Sequence, residues 1–192
     1  MMERSELTEK EGKELLEEAR QTISRVFFGK KEEERGKNVV SPKLSLRGGT
    51  FVTLTLNDRL RGCIGCITSQ ESIIEGVRKN AIQAAFHDPR FRPLSRDEFE
   101  HVRVEVSVLT EPHPLPYADA DDLKVKLRPG RDGVIIKKGH LQATFLPQVW
   151  EQLPDTESFL THLCIKAGLR EDAWMYEKLQ VSTYEVQAFE EE

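Results

Sequence analysis

The chain has 192 residues, 38% of them hydrophobic and 32% charged, with a formal net charge of −5. That length can bury a good core, and no apolar run approaches the ~20 residues that span a bilayer, which excludes a membrane protein. The acidic balance argues against wholesale binding to nucleic-acid phosphates, which takes clustered lysine and arginine, and three cysteines build no disulfide framework in a chain this long.

The first residues, Met1 to Glu6, are polar and lack the apolar segment of a secretory leader, so a cytoplasmic location is expected. Thr8 and Glu11 have the spacing of a helix capping box, and Leu15, Leu16, Ala19, Ile23, Val26 and Phe27 fall on one stripe of the helix that follows, which Gly29 ends. The run from Lys30 to Lys37 mixes both charge signs and reads as a solvated loop before Leu44 and Leu46. Thr50 to Leu56 is rich in β-branched and apolar residues and meets Asn57-Asp58-Arg59, the signal of a strand and a tight turn.

The return strand is then Leu60-Arg61-Gly62-Cys63-Ile64-Gly65, a thiol, a guanidinium and two glycines within a short reach. Residues two apart on a strand share a face, which places Arg61 beside Cys63, and a guanidinium favours the thiolate that attacks electrophiles. Gly62 and Gly65 leave room for backbone or ligand to approach. Cys66 completes a C-x-x-C spacing ahead of a helix, yet no second C-x-x-C and no repeated βαβ pattern supports a redox pair. Cys164, with His162 two residues before it, matches no structural zinc spacing, so neither metal nor cofactor is expected.

Thr68 and Glu71 repeat the capping spacing ahead of a stripe of Ile73, Ile74, Val77, Ala81, Ala84 and Ala85, a second helix running to about Phe86. Pro89 ends it and leaves His87, Asp88, Arg90 and Phe91 at its C-terminus. Ser95 and Glu98 start a short helix. Val102 to Val108 then alternates strictly, with valine on one face and Arg103, Glu105 and Ser107 on the other. Three alternate prolines, Pro112, Pro114 and Pro116, mark a crossing between lobes near residue 115. Beyond it Gly133–Lys137 and Leu141–Phe145 flank Lys138-Gly139-His140 as a hairpin, and Pro147 suits a first helical turn. Ser158 to Ala167 reads as a helix closed by Gly168, and Val181 to Val186 as a late strand returning to the main sheet. The mixture favours α+β with a largely antiparallel sheet flanked by helices.

Several blocks, in order, resemble the AMME chromosomal region protein family (the AMMECR1 domain, called AmmeMemoRadiSam system protein A in many prokaryotes). They are Gly49-Thr50-Phe51-Val52-Thr53-Leu54, Leu60-Arg61-Gly62-Cys63-Ile64-Gly65, Asp88-Pro89-Arg90-Phe91 with Pro93, Val106-Ser107-Val108-Leu109, and Gly133-Val134 to Thr144-Phe145-Leu146-Pro147. They cover roughly residues 10 to 188, far beyond a single short motif. The resemblance implies one domain over 1–192 with two unequal lobes and a cleft near the hexapeptide, divided as a larger lobe of 8–112 plus 170–190 and a smaller one of 117–168. It also implies genomic company with a Memo-like protein and a radical S-adenosylmethionine protein, and hence a shared modification pathway. In the family the position of Cys66 is often not cysteine and that of His87 commonly holds other residues, so neither a Cys63–Cys66 disulfide nor a Cys63–His87 dyad is carried over.

Two functional readings follow. In the first, Cys63 is a nucleophile, with Asp88 or Glu105 handling protons and Arg61, Gly62, Gly65, Arg90 and Phe91 forming the binding surface. In the second, the chain is a non-catalytic module for a protein, nucleotide or RNA that reads an anion through Arg61 and Arg90, with Phe91 as apolar anchor. The structural alternative assigns Arg61 and Asp88 to ion pairing, Cys63 to packing and the glycines to the turn.

Overall fold

Thr8 opens helix α1 (Glu9–Phe28): its hydroxyl accepts the Glu11 N–H while the Glu11 carboxylate accepts the Thr8 N–H, and Gly29 closes the helix at φ 73°. The computed structural model describes residues 6–29 and 41–192, so the charged run from Lys30 to Lys37 lies outside the described residues. Leu15, Leu16, Ala19 and Ile23 are buried along α1, but Val26 is 55% exposed, a correction to the expected stripe. Phe27 takes the inward position there by packing edge-on against Phe86, with ring centroids 5.4 Å apart, and its neighbour one residue back is turned outward.

Strands β1 (Thr50–Leu56) and β2 (Arg59–Cys66) are joined by Asn57 and Asp58, both at positive φ, the two-residue turn whose twist suits a hairpin. Helix α2 (Ile73–Phe86) is capped by Ser72 and Glu75 instead of Thr68 and Glu71. The reason is the preceding chain: Ser72 bridges Arg47, and the Ile73 N–H donates to the Leu46 carbonyl, which goes with an extended Ser72 at φ −66° and ψ 159° and starts the helix after it. The short helix α3 (Arg96–Phe99) has the expected Ser95–Glu98 capping box, and β3 (Arg103–Leu109) buries Val104, Val106 and Val108. With β8 (Val186–Glu190) these strands form a sheet of order β2-β1-β3-β8. Helix α2 packs on β1 and β2, and α1 on β3, so both helices cover one face and the core lies beneath them.

Between β3 and β8 the elements are β4 (His113–Pro114), α4 (Ala120–Lys126), β5 (Gly133–Lys138), β6 (Leu141–Phe145), a 3-10 turn at Pro147–Glu151, α5 (Thr156–Lys166), α6 (Ala173–Tyr176) and β7 (Gln180–Tyr184). Their sheet runs β4-β7-β5-β6, with antiparallel pairings throughout. The late strand expected over Val181 to Val186 therefore joins this second sheet, and β8 is the strand that returns to the first. Helix α5 starts before the expected Ser158 because Asp155 caps it by accepting the Ser158 N–H. Trp150 stacks on Phe159 at 3.7 Å between ring centroids in the second core. The chain thus divides into two compact units, Met1–Leu109 with Gln187–Glu192, and Thr110–Val186. The architecture is α+β, with six α-helices and two four-stranded sheets among the described residues.

Candidate functional site

Strand β2 is a free edge of the first sheet, so alternate residues turn a backbone N–H and C=O away from β1 with no strand to receive them. At Cys63 these groups are taken by side chains. The N–H donates to Asp88 Oδ2 at 2.9 Å, and the carbonyl accepts from Arg90 Nη2 at 3.0 Å. Asp88 also binds Arg90 through both oxygens, at 3.0 Å to Nε and 2.7 Å to Nη2, and accepts the Arg90 backbone N–H. The Asp88 carboxylate is 1% exposed. Hydrogen bonds from Arg90, opposed by burial and helped by the Cys63 N–H, hold it well below the usual carboxylate range. The pair therefore occupies the place of a neighbouring strand along the stretch that carries the thiol.

The register pairs Thr53 with Cys63 on one side and with Glu105 on the other, so the three residues form a row across β2, β1 and β3. The Thr53 hydroxyl donates to Cys63 Sγ at 3.3 Å, and the Glu105 carboxylate accepts from Ser107 Oγ at 3.1 Å. Thr53, Cys63 and Glu105 are all half-buried. The row lies on the sheet face opposite α1 and α2, because Thr50, three residues before Thr53, is held by Asn80 of α2. Cys66 pairs with Thr50 and so faces α2, whereas Cys63 faces away. An odd spacing on a strand separates the two thiols by the sheet itself, and both are free. Asp88 first, and the Cys63 sulfur with it, raise the Arg90 guanidinium above its usual value, which puts a cation within electrostatic reach of the thiol.

Arg61 stands apart from this row. Leu54 pairs with Gly62 and Thr55 with Leu60, which leaves Arg61 as the extra residue of a β-bulge and interrupts the alternation that would place it beside Cys63. Its guanidinium donates to both Glu98 oxygens, at 2.9 and 3.1 Å, and to the Arg92 and Pro93 carbonyls. These bonds draw Glu98 down to about 2, against its partial burial. Arg61 and Arg90 both lie against the Phe91 ring, 5.8 and 5.5 Å from its centroid, and each has its charge balanced by a carboxylate. The room at the two glycines is taken by the protein: a Cβ on Gly62 would sit 2.2 Å from the Ala84 carbonyl oxygen, and one on Gly65 would sit 2.3 Å from both the Phe51 ring and the Thr50 carbonyl oxygen.

Thr53 and Glu98 were not picked out from the sequence. Thr53 becomes visible only once β1 and β2 are paired in register, and Glu98 was legible as a cap but not as the partner of Arg61. His87 is exposed at the C-terminal cap of α2. Among the described residues no group of three or more histidine, cysteine or acidic side chains is placed to hold a metal, and no helix is long and apolar enough to cross a membrane.

The AMMECR1 family model matches residues 16–189. A protein of Methanosarcina barkeri is 39% identical over 188 residues, which is 96% of this chain and 92% of its own. One from Methanocaldococcus jannaschii is 39% identical over 189 residues, again 96% of this chain and 92% of the relative. The crystal structure of an uncharacterized protein from Pyrococcus horikoshii is similar with a TM-score of 0.83 and 36% identity, covering 97% of this chain and 94% of that one.

Proposed function

The chain belongs to the AMMECR1 family, and on that premise we propose that it is the thiol-bearing component of a modification pathway shared with Memo-like and radical S-adenosylmethionine proteins, with Cys63 as the nucleophile. The observation that carries this reading is the row Cys63–Thr53–Glu105 on the helix-free face, with the Thr53 hydroxyl donating to the sulfur. A thiol kept only for packing belongs among aliphatic side chains, whereas the Cys63 sulfur accepts a hydrogen bond from the Thr53 hydroxyl. In this reading the sulfur adds to a polarised carbonyl carbon of the substrate: the S–C bond forms as the C=O π bond opens onto oxygen, and the thiol proton passes through water to Glu105, the carboxylate in the same row, and from there to that oxygen. Asp88 serves by position: fully engaged and ionised, it fixes the backbone of Cys63 and exchanges no proton near neutral pH.

The test compares wild type, Cys63→Ser and Thr53→Val in alkylation by iodoacetamide and in capture of purified Memo-like and radical S-adenosylmethionine partners. The expected result is fast alkylation at Cys63 that Thr53→Val slows severalfold and Cys63→Ser removes, with partner capture unchanged in both. Alkylation of Cys66 ahead of Cys63, or a rate indifferent to Thr53, sinks the nucleophile. Failure to capture either partner sinks the pathway assignment.

A further inference from the structure

The register sets the Cys63 row between two others on the helix-free face. On one side Leu60 of β2 pairs with Thr55 of β1, which pairs with Arg103 of β3; on the other Gly65 pairs with Phe51, which pairs with Ser107. Leu60 and Cys63 share the face because their partners Thr55 and Thr53 are two apart on β1, and the Arg61 bulge falls between them. Such rows stand about 7 Å apart, so one small molecule centred on the sulfur reaches both neighbours.

Both flanks are apolar. Leu60 is 46% exposed, an aliphatic side chain left largely in water. On the opposite flank the half-buried Phe51 ring lies over Gly65, where a Cβ would sit 2.3 Å from the ring, so the missing side chain lets the ring lie beside the thiol.

The charges that border these rows leave an excess of negative charge. Asp88 matches Arg90, and Arg103 faces two carboxylates, Asp58 and Glu190. Glu105 accepts from Ser107 Oγ and has no ion-pair partner among the described residues. An anion is repelled here. A cation would pair with Glu105 and occupy the carboxylate that has to take the thiol proton.

The geometry points to an uncharged ketone, ester or thioester with an apolar group on each side of the carbonyl as the substrate class of Cys63. One arm covers Leu60, the other lies against Phe51, and Glu105 turns anions away. This inference rests on Cys63 being the nucleophile.

Four maleimides serve as probes: N-benzyl, N-methyl, the anionic N-carboxymethyl and the cationic N-aminoethyl. In each the sulfur bonds one ring carbon as the C=C π bond opens and the neighbouring carbon takes the proton. Rates at Cys63 are read by peptide mass spectrometry and divided by the rate of the same reagent with N-acetylcysteinamide, which removes intrinsic reactivity. The benzyl reagent is expected to outpace the methyl one about tenfold. The anionic reagent is expected to lag the methyl one about fivefold. Leu60→Ser, at an exposed position, should cut the benzyl advantage to about threefold, and adding Phe51→Ala should remove the rest. Glu105→Gln should erase the lag of the anion, and a base lost to every reagent alike leaves these ratios unchanged. Equal benzyl and methyl rates, an advantage indifferent to Leu60→Ser, no lag of the anion, or a cationic reagent faster than the benzyl one would each overturn the substrate class while leaving the nucleophile in place. Failure of all four to react at Cys63 would sink the nucleophile, and the substrate class with it.

Discussion

Asp88 accepts four hydrogen bonds from a position almost wholly out of water, and its loss would be felt in two ways. Asp88→Asn removes the charge that Arg90 needs and replaces an acceptor with a donor. Arg90 itself is half exposed, so the expected cost is that of charged hydrogen bonds and not of a stranded buried ion, about 2–3 kcal/mol in urea unfolding. The pH dependence follows from the direction of the shifts. Asp88 and Glu98 both titrate lower in the folded protein than as free carboxyls, so each contributes stability that is complete above the unfolded value and is lost as pH falls through the folded one. For Glu98 that window runs from 4.5 down to about 2. Glu98→Gln should therefore flatten the acid limb of the stability profile there while changing the neutral region less. An acid limb identical to wild type would show that the Arg61–Glu98 pair does not form.

At the scale of elements, the hairpin's two glycines are where packing dictates the residue. Gly62→Ala would drive its methyl into the backbone of α2 at Ala84, which has no flexible side chain to give way, and a loss of about 3 kcal/mol is expected from thermal unfolding. A variant within experimental error of wild type would mean that α2 stands off from β2. The strand also sets thiol chemistry: with Cys63 and Cys66 on opposite sheet faces, mild oxidation should give no Cys63–Cys66 disulfide by mass spectrometry, and finding one would require β2 to leave the sheet.

These elements also show what was legible in advance. The capping boxes at Thr8 and Ser95, the turn at Asn57-Asp58 and the valine face of β3 depend on neighbours within a few residues, and each is found where the pattern predicts it. The cap of α2 was misplaced because two overlapping pairs fit the same spacing, and the choice between them is made by a bridge to Arg47. The bulge at Arg61, the row across three strands and the clamp from Asp88 all join residues brought together only by pairing, and nothing local in Leu60-Arg61-Gly62-Cys63-Ile64-Gly65 announces them.

At the scale of the whole molecule, the first unit is interrupted: its chain leaves after Leu109 and returns at Gln187. At the base of the second unit the Thr110 N–H donates to the Glu185 carbonyl at 3.0 Å, and the Glu185 N–H donates to the Thr110 hydroxyl at 2.9 Å, so the outgoing and returning segments run side by side. The first unit has its own core, and its C-terminus is tied in by Glu191, which accepts from Arg20 Nε at 2.6 Å and from the Val104 N–H at 2.8 Å. Joining 109 to 187 through two glycines should therefore give a protein that unfolds cooperatively on its own. Loss of a cooperative transition in that shortened chain would show that its core depends on the segment removed.

The clamp at Cys63 bears on how separate molecules behave toward one another. An unpaired strand edge is a template on which a second chain can add, and repeated addition leads to fibrils. With the Cys63 N–H and C=O already taken by Asp88 and Arg90, an incoming strand meets an ion pair in place of open hydrogen-bonding sites. The residues that fix the thiol in space thus also guard the sheet against polymerisation, and a change that frees the edge would be felt first as turbidity in a concentrated solution.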